Sequence, residues 1–414
     1  MRVVIFEDDG IEGFGPLTLL RHVGLLRRGT KSLLDAIVEK IPDARDVVLW
    51  GRPELSAVTK EGTGKAYNEK VYGPALLVNA RARPTEGLLL QASLADPFVA
   101  VSGGELVAAR LDTVPLKPGP IGRSVVRTLA RRTKKLAAEP DPLFRGYWDL
   151  LEGNGLAIAS QATRNEESLD LPRSVEVRGP SGNIMVDAGA EIEGQVTLDA
   201  RLGPIVIKKG ASVECFSRIM GPCYIGSRTM VFSALIGGGT SIFETCKVGG
   251  QIENSVILPY TNKAHHGYVG DSYVGSWVNI GAGCTFSNMK NTYGNVRVST
   301  AGKRVDTGML KLGPAVGDMA KLSIGSLVYA GKFVGAGSHV SGLVEGDVSS
   351  FTFSSSSKDG PVALLLDSVI ETQRRMMERR GLVLSRSEEA LIRKAHGNTE
   401  KERRKAGARE GPIR

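Results

Sequence analysis

Apolar residues recur at every sixth position through the middle of this 414-residue chain. The runs are Val186, Ile192 and Leu198; Ile207, Val213, Ile219, Ile225 and Val231; Ile236, Ile242 and Val248; Val274, Ile280 and Phe286; and Leu322, Val328, Val334 and Val340. Glycine follows several of them, as in Ile225-Gly226, Ile280-Gly281 and Val334-Gly335. A period of six matches neither the 3.6 of a helix nor the two of a single strand, so it requires an internal repeat. Three hexads make one triangular coil: each apolar residue points into a prism, small residues fit the corners, and stacked coils bury one continuous core. The pattern predicts a left-handed parallel β-helix, a hexapeptide-repeat solenoid. Residues 253–269 and 288–312 break the register, and such breaks are expected to leave the prism as loops that build a binding face.

Before the solenoid, the apolar runs Val3-Val4-Ile5-Phe6 and Val47-Val48-Leu49-Trp50 bracket a helical pattern from Ser32 to Val38, which predicts an α/β unit with a parallel sheet. Further strands are expected at 75–78 and 98–101, then a helix over 123–138 whose Lys/Arg-rich face is solvated surface. After the solenoid, Leu364, Leu365, Val369, Ile370, Met376 and Met377 fall at helical spacing, so a helix should cap or flank its open end. The chain beyond Lys401 reads as disordered. The expected division is 1–172 for the α/β unit, 173–352 for the β-helix and 353–414 for a basic helical tail.

Composition adjusts this picture at few points. The 51 glycines and 6% aromatic residues fit a turn-dense β architecture. A net charge of +9 raises the question of nucleic acid, but residues 361–414 hold 13 Lys/Arg against 8 Asp/Glu, five of those nine charges. A solvated or partner-binding helix accounts for that run, so no nucleic-acid partner is expected. No apolar run nears the roughly 20 residues of a membrane helix, and MRVVIFEDDG lacks a signal peptide's apolar stretch, so the expectation is a cytoplasmic protein without a membrane partner. The cysteines at 215, 223, 246 and 284 show no C-x-x-C pairing and read as buried free thiols rather than zinc ligands.

Candidate chemistry gathers at the two register breaks. Residues 262–268 read Asn-Lys-Ala-His-His-Gly-Tyr and 288–294 read Asn-Met-Lys-Asn-Thr-Tyr-Gly. Two of the five histidines, His265 and His266, are adjacent here. A histidine can take the proton that an amine loses while attacking a thioester, and backbone N–H groups at a coil corner can stabilise the resulting oxyanion. A loop histidine bonded only to backbone is the plainer alternative. Lys247 and Lys263 are candidates to meet phosphate, with Arg218 a weaker one; solvated lysines are the alternative there.

The run NKAHHGYVGDSYVGSWVNIGAGCTFSNMKNTYGN resembles the acetyltransferase half of the bifunctional N-acetylglucosamine-1-phosphate uridyltransferase/glucosamine-1-phosphate acetyltransferase family. The resemblance implies that His265, rather than His266, is the general base and that Tyr268 and Asn279 contact the sugar phosphate. It also implies that Ala282 and Asn288 line an acetyl-CoA site, with Met289 where an aromatic residue is usual. In the N-terminal segment, Pro16-Leu17-Thr18-Leu19-Leu20-Arg21 followed by Gly29-Thr30-Lys31-Ser32 resembles the opening of sugar nucleotidyltransferases. Residues 7–15, EDDGIEGFG, lack the Gly-x-Gly-Thr-Arg run of those enzymes, and Val23 or Gly24 stands near the place of their phosphate-contacting lysine. Arg21, Arg27 and Arg28 are then the candidate cations for a nucleotide, and Asp8 and Asp9 the candidate ligands of Mg²⁺.

Taken over residues 1–350, the arrangement is similar to the alternative bacterial and archaeal branch of the bifunctional family. This implies N-acetylation of an amino-sugar 1-phosphate by acetyl-CoA, nucleotidyl transfer from a nucleoside triphosphate in UDP-N-acetylglucosamine-type synthesis, and a homotrimer. Two other readings stay open: a nucleotidyltransferase whose solenoid only regulates or assembles, and a non-catalytic scaffold.

Overall fold

Parallel pairing carries the chain up the solenoid one coil at a time. Ile184 lies beside Ile205, Ile205 beside Cys223, Ile225 beside Ile242, and Ala315 beside Phe333. The computed structural model describes residues 1–114, 116–163, 171–300, 302–356 and 360–410, so the end of the basic tail, 411–414, lies outside the described residues. Among these, one prism face is an eight-stranded parallel sheet from Ile184–Val186 to Phe333–Val334, and the other two faces run together in a sheet of seventeen strands. The hexad residues from Leu198 to Val340 are at most 2% exposed. Each such side chain contributes about 1.5–3 kcal/mol by leaving water, which makes this column of Val and Ile the chief support of the left-handed β-helix. Val186 and Ile192, in the first coil, are only half-buried because no coil covers them from below.

The two register breaks behave differently. Residues 253–269 do not leave the prism: Val256–Ile257, Asn262–Lys263 and Tyr268–Gly270 are solenoid strands, and Ile252, Ile257 and Val269 point inward, fully buried. The sixfold pattern slips because this coil is short: Val248 pairs with Lys263, fifteen residues on, whereas Val213 pairs with Val231, eighteen on. Residues 288–312 do leave the prism, with Asn288 meeting Tyr268 at their start and the rest reaching the N-terminal unit. They carry a hairpin of Arg297–Thr300 and Lys303–Asp306, and Val296 and Val298 are buried in the core of the N-terminal unit. Thr300 Oγ1 donates to the Glu12 carbonyl at 2.9 Å, so the insertion clasps that unit.

The N-terminal unit is a seven-stranded mixed sheet in which Arg2–Phe6 lies between the parallel strands Asp46–Trp50 and Ala75–Asn79. The helix expected over 123–138 ends at Arg132. Thr133 turns extended, and Lys135–Ala137 adds a strand to the open sheet edge beside Val99–Val101. This unit covers the eight-stranded prism face through polar as well as apolar contacts. Tyr147 Oη donates to the Gly313 carbonyl at 2.8 Å, Asn154 Nδ2 to the Gly239 carbonyl at 2.8 Å, and Ser241 Oγ to the Gly29 carbonyl at 2.6 Å.

Helices Leu366–Glu378 and Arg386–Asn398 flank the solenoid, packing Val369, Ile370, Ile392 and Ala395 on Met319 and Phe351. Order continues past Lys401 to Glu410. Arg403, 5% exposed, donates to Thr399 Oγ1 at 2.8 Å and to the His396 carbonyl at 2.9 Å, and Arg409 pairs its main chain with Pro361 and Ala363. All four cysteines are free; Cys223, Cys246 and Cys284 are buried, but Cys215 is half-exposed on the first coils. No helix among the described residues is long and apolar enough to cross a membrane.

Candidate active site

His265 and His266 stand exposed at the corner where the strand Asn262–Lys263 of one prism face turns into Tyr268–Gly270 of the next. The corner of the preceding coil is Gly249-Gly250, and that of the following coil is Gly281-Ala282-Gly283. Gln251 N–H donates to the Gly267 carbonyl at 3.0 Å and Gly283 N–H to the His266 carbonyl at 2.9 Å, so the three corners stack. Their approach dictates the glycines: Gly250 has φ +69°, and a Cβ on Gly249 would fall inside the Ala264 carbonyl. His265 therefore has neighbours above and below whose largest side chain is the Ala282 methyl. Gly249→Ala is expected to cost about 1–3 kcal/mol, the usual toll of overpacking, read as a lower midpoint of chemical denaturation.

The two faces that meet at this corner carry the other expected residues. Asn279 lies one coil beyond Asn262, whose Nδ2 donates to Asn279 Oδ1 at 2.9 Å; Asn262 Oδ1 is buried without a partner among the described residues. Tyr268 Oη donates to Glu253 Oε2 at 3.3 Å and accepts from Asn288 Nδ2 at 2.9 Å. Burial and the nearby Glu253 and Asp271 carboxylates raise its pKa, so the phenol keeps its proton and remains a donor. Asn288 Nδ2 also donates to Asp271 Oδ2 at 2.6 Å, and Asn254 Nδ2 to Asp271 Oδ1 at 2.7 Å.

Of the two residues expected to line an acetyl-CoA site, Ala282 sits at the corner and Asn288 with Tyr268. Met289 bridges to Lys311 through the main chain, and its carbonyl accepts from Ser287 Oγ at 3.2 Å. Sequence reasoning missed Glu253, Asn254 and Asp271. A signal was present: Asn254, Asp271 and Asn288 follow one another at seventeen-residue steps, one coil each.

Of the phosphate candidates, Lys247 is half-exposed beside Asn262 and has no ion-pair partner among the described residues. Arg218 is held by Asp199 at 3.0 Å. Lys263 is not available to phosphate. It is 1% exposed, and its ammonium donates to the carbonyls of Gly249, His265 and Gly267 at 2.7, 2.9 and 3.2 Å.

The nucleotide and metal candidates are likewise engaged. Arg21 is paired with Asp318 and donates to Ser276 Oγ, Arg27 grips Glu244 at 2.7 and 2.8 Å, and Arg28 donates to the carbonyls of Glu152 and Gly153. These three arginines tie segments together; Arg21 and Arg27 also line a cavity of about 670 Å³, where Asp318 and Glu244 answer their charges. Asp8 is 3% exposed; its Oδ1 accepts from Gly10 N–H and Arg81 Nε, and its Oδ2 from Asn79 Nδ2 and Arg81 Nη2, all within 3.1 Å.

A carboxylate so saturated does not fit Mg²⁺, which demands an open octahedral set of oxygens, and the exposed Asp9 alone does not supply one. No group of three or more metal-ligating side chains occurs among the described residues. A cavity of about 650 Å³ opens beside residues 11–19, lined by Glu12, Asp347 and Glu402 and by Lys405 and Arg52, the last paired with Glu7 at 2.9 Å.

Residues 3–168 match the sugar nucleotidyl transferase family. In sequence, the chain is 31% identical over 144 residues to the bifunctional protein GlmU of Ralstonia pickettii, covering 32% of each protein. Its similarity is to the GlmU-like bifunctional transferases. A second GlmU-like relative, the bifunctional sugar-1-phosphate nucleotidylyltransferase/acetyltransferase of Sulfurisphaera tokodaii, is 34% identical over 99 residues, 23% of this chain and 25% of that one. The chain thus spans about a third or less of the length of these GlmU-like proteins. Among solved structures, the UDP-N-acetylglucosamine acyltransferase of Francisella novicida aligns with 56% of this chain and 93% of its own, at 14% identity and a TM-score of 0.30.

Proposed function

We propose that the protein is a transferase of nucleotide-sugar biosynthesis that N-acetylates an amino-sugar 1-phosphate with acetyl-CoA at the His265 corner. The observation that carries this reading is the exposed His265 imidazole at the meeting of the faces that present Tyr268 and Asn279, between corners stripped to glycine and alanine. In the reaction the amine nitrogen attacks the thioester carbonyl, His265 takes the proton the amine sheds, and coenzyme A leaves as its thiol. Tyr268 and Asn279 orient the sugar phosphate, with Lys247 the open cation for its phosphate. Ala282 leaves room for the acyl donor beside the corner.

A prism corner is convex, so an enclosed site needs a second prism against it. Leu235, Leu327 and Leu343, exposed in the same column as Tyr268, offer an apolar surface for one, which supports a homotrimer.

The match over residues 3–168 supports a nucleotidyl step in the same chain. The commitments of Arg21, Arg27, Arg28 and Asp8 favour the acetyl half over a reading in which nucleotidyl transfer is the sole activity. The deciding experiment mixes the purified protein with glucosamine 1-phosphate and acetyl-CoA and follows free thiol. Release dependent on the amino sugar is expected; its absence from folded protein overturns the reading in favour of nucleotidyl transfer alone or a scaffold.

A further inference from the structure

One inward column of the prism runs Val213, Val231, Val248, Lys263, Ile280, Leu322 and Val340. Every member is at most 2% exposed, and every member but one is apolar. An ammonium in such a column costs free energy unless each of its donors is matched. Lys263 meets that condition, with three donors on three carbonyls drawn from two successive coils. The His265 carbonyl has no other hydrogen-bond partner among the described residues. The corner holds four residues, 264–267, over the two of Gly249-Gly250, and the carbonyls of His265 and Gly267 reach the ammonium while that of His266 accepts from Gly283 N–H. A methionine or leucine in the slot would fill the column but leave those carbonyls bare.

We infer that Lys263 is the positioning residue of this site, an internal pin that holds the main chain of residues 265–267 so that the His265 side chain is fixed outward between the neighbouring corners. The inference rests on the reading of His265 as the base only for its catalytic consequence; the pinning itself is independent of any reaction. Burial brings the ammonium down to about 8, a sign that the site holds its charge at some expense and that solvation is not what keeps it there.

Lys263→Met, matched in length and suited to the apolar column, separates pinning from packing. The solenoid is expected to stay folded, with a near-UV spectrum and denaturation cooperativity like those of the parent. Amide hydrogen exchange in a peptide spanning residues 264–268 is expected to quicken at least about tenfold, the loss of hydrogen bonds to a charged group, with peptides of the coils beyond Val274 unchanged. In thiol release, kcat is expected to fall by about tenfold or more with KM for the amino sugar unchanged.

A peptide that exchanges as in the parent overturns the inference whatever the activity. So does global loss of protection or of folding in both Lys263→Met and Lys263→Gln, which marks the lysine as ordinary packing. If the parent releases no thiol while exchange at the corner does quicken, the acetyltransferase reading fails and the pin stands.

Discussion

Alanine at position 265 is expected to lower kcat for acetyl transfer by about 10²–10⁴, the span over which a positioned general base contributes. The imidazole is exposed and at the corner of the prism, so its loss leaves the buried columns intact and the thermal midpoint unchanged. KM for both substrates should hold, because the group acts on the proton and not on the sugar or the acyl chain. His266→Ala provides the contrast: its ring lies toward Gly283, and activity near that of the parent is expected. Equal losses in the two variants, measured by thiol release on folded protein, sink the assignment of the base to His265.

Arg81→Met is expected to destabilise the N-terminal unit by about 3–5 kcal/mol, the effect of breaking a buried ion pair from one side. Arg81 is 1% exposed, and its guanidinium reaches Asp8, Glu105 and the Phe144 carbonyl within 2.8 Å. Burial works against its charge, but hydrogen bonding and attraction to Asp8 and Glu105 outweigh it and raise the pKa. Without the arginine, the buried Asp8 carboxylate keeps, among the described residues, only Gly10 N–H and Asn79 as partners. The double variant Asp8→Asn with Arg81→Met should recover part of the loss, since an amide is cheaper to bury than a lone carboxylate. Denaturant titration reads both, and a single variant as stable as the parent contradicts the account.

What could be read from the sequence divides along physical lines. The prism was legible because each coil repeats one demand, an apolar side chain at the axis, so Val213 to Val340 announce themselves. The short coil was not, because a slip of three residues moves the inward position onto Lys263, which looks like a surface residue until its three carbonyls are seen. His265, Tyr268 and Asn279 could be picked out as a motif, but the partners of Tyr268, Glu253 and Asn288, come from one coil away on either side. The arginines could be found as cations but their partners could not: a guanidinium that grips Glu244 or Asp318 has the same letter as one that grips phosphate. Residues 288–312 show the same limit, since their Val296 and Val298 reveal an apolar preference but not which surface satisfies it.

The way the last helices return to the first unit bears on how the molecule comes into being. Ser385 Oγ donates to Glu61 at 3.0 Å, and the insertion hairpin rests on residue 12, so surfaces made early in synthesis are completed only by segments made late. The face of the N-terminal unit bearing Leu17, Phe14 and Tyr147 leaves the ribosome before the coils that cover it exist. During that interval it is an exposed apolar surface, the kind that chaperones hold and that aggregates when they do not. Truncated chains ending before the solenoid should therefore be found with chaperones or in inclusion bodies, and yield of the whole protein should depend on how fast translation delivers the β-helix.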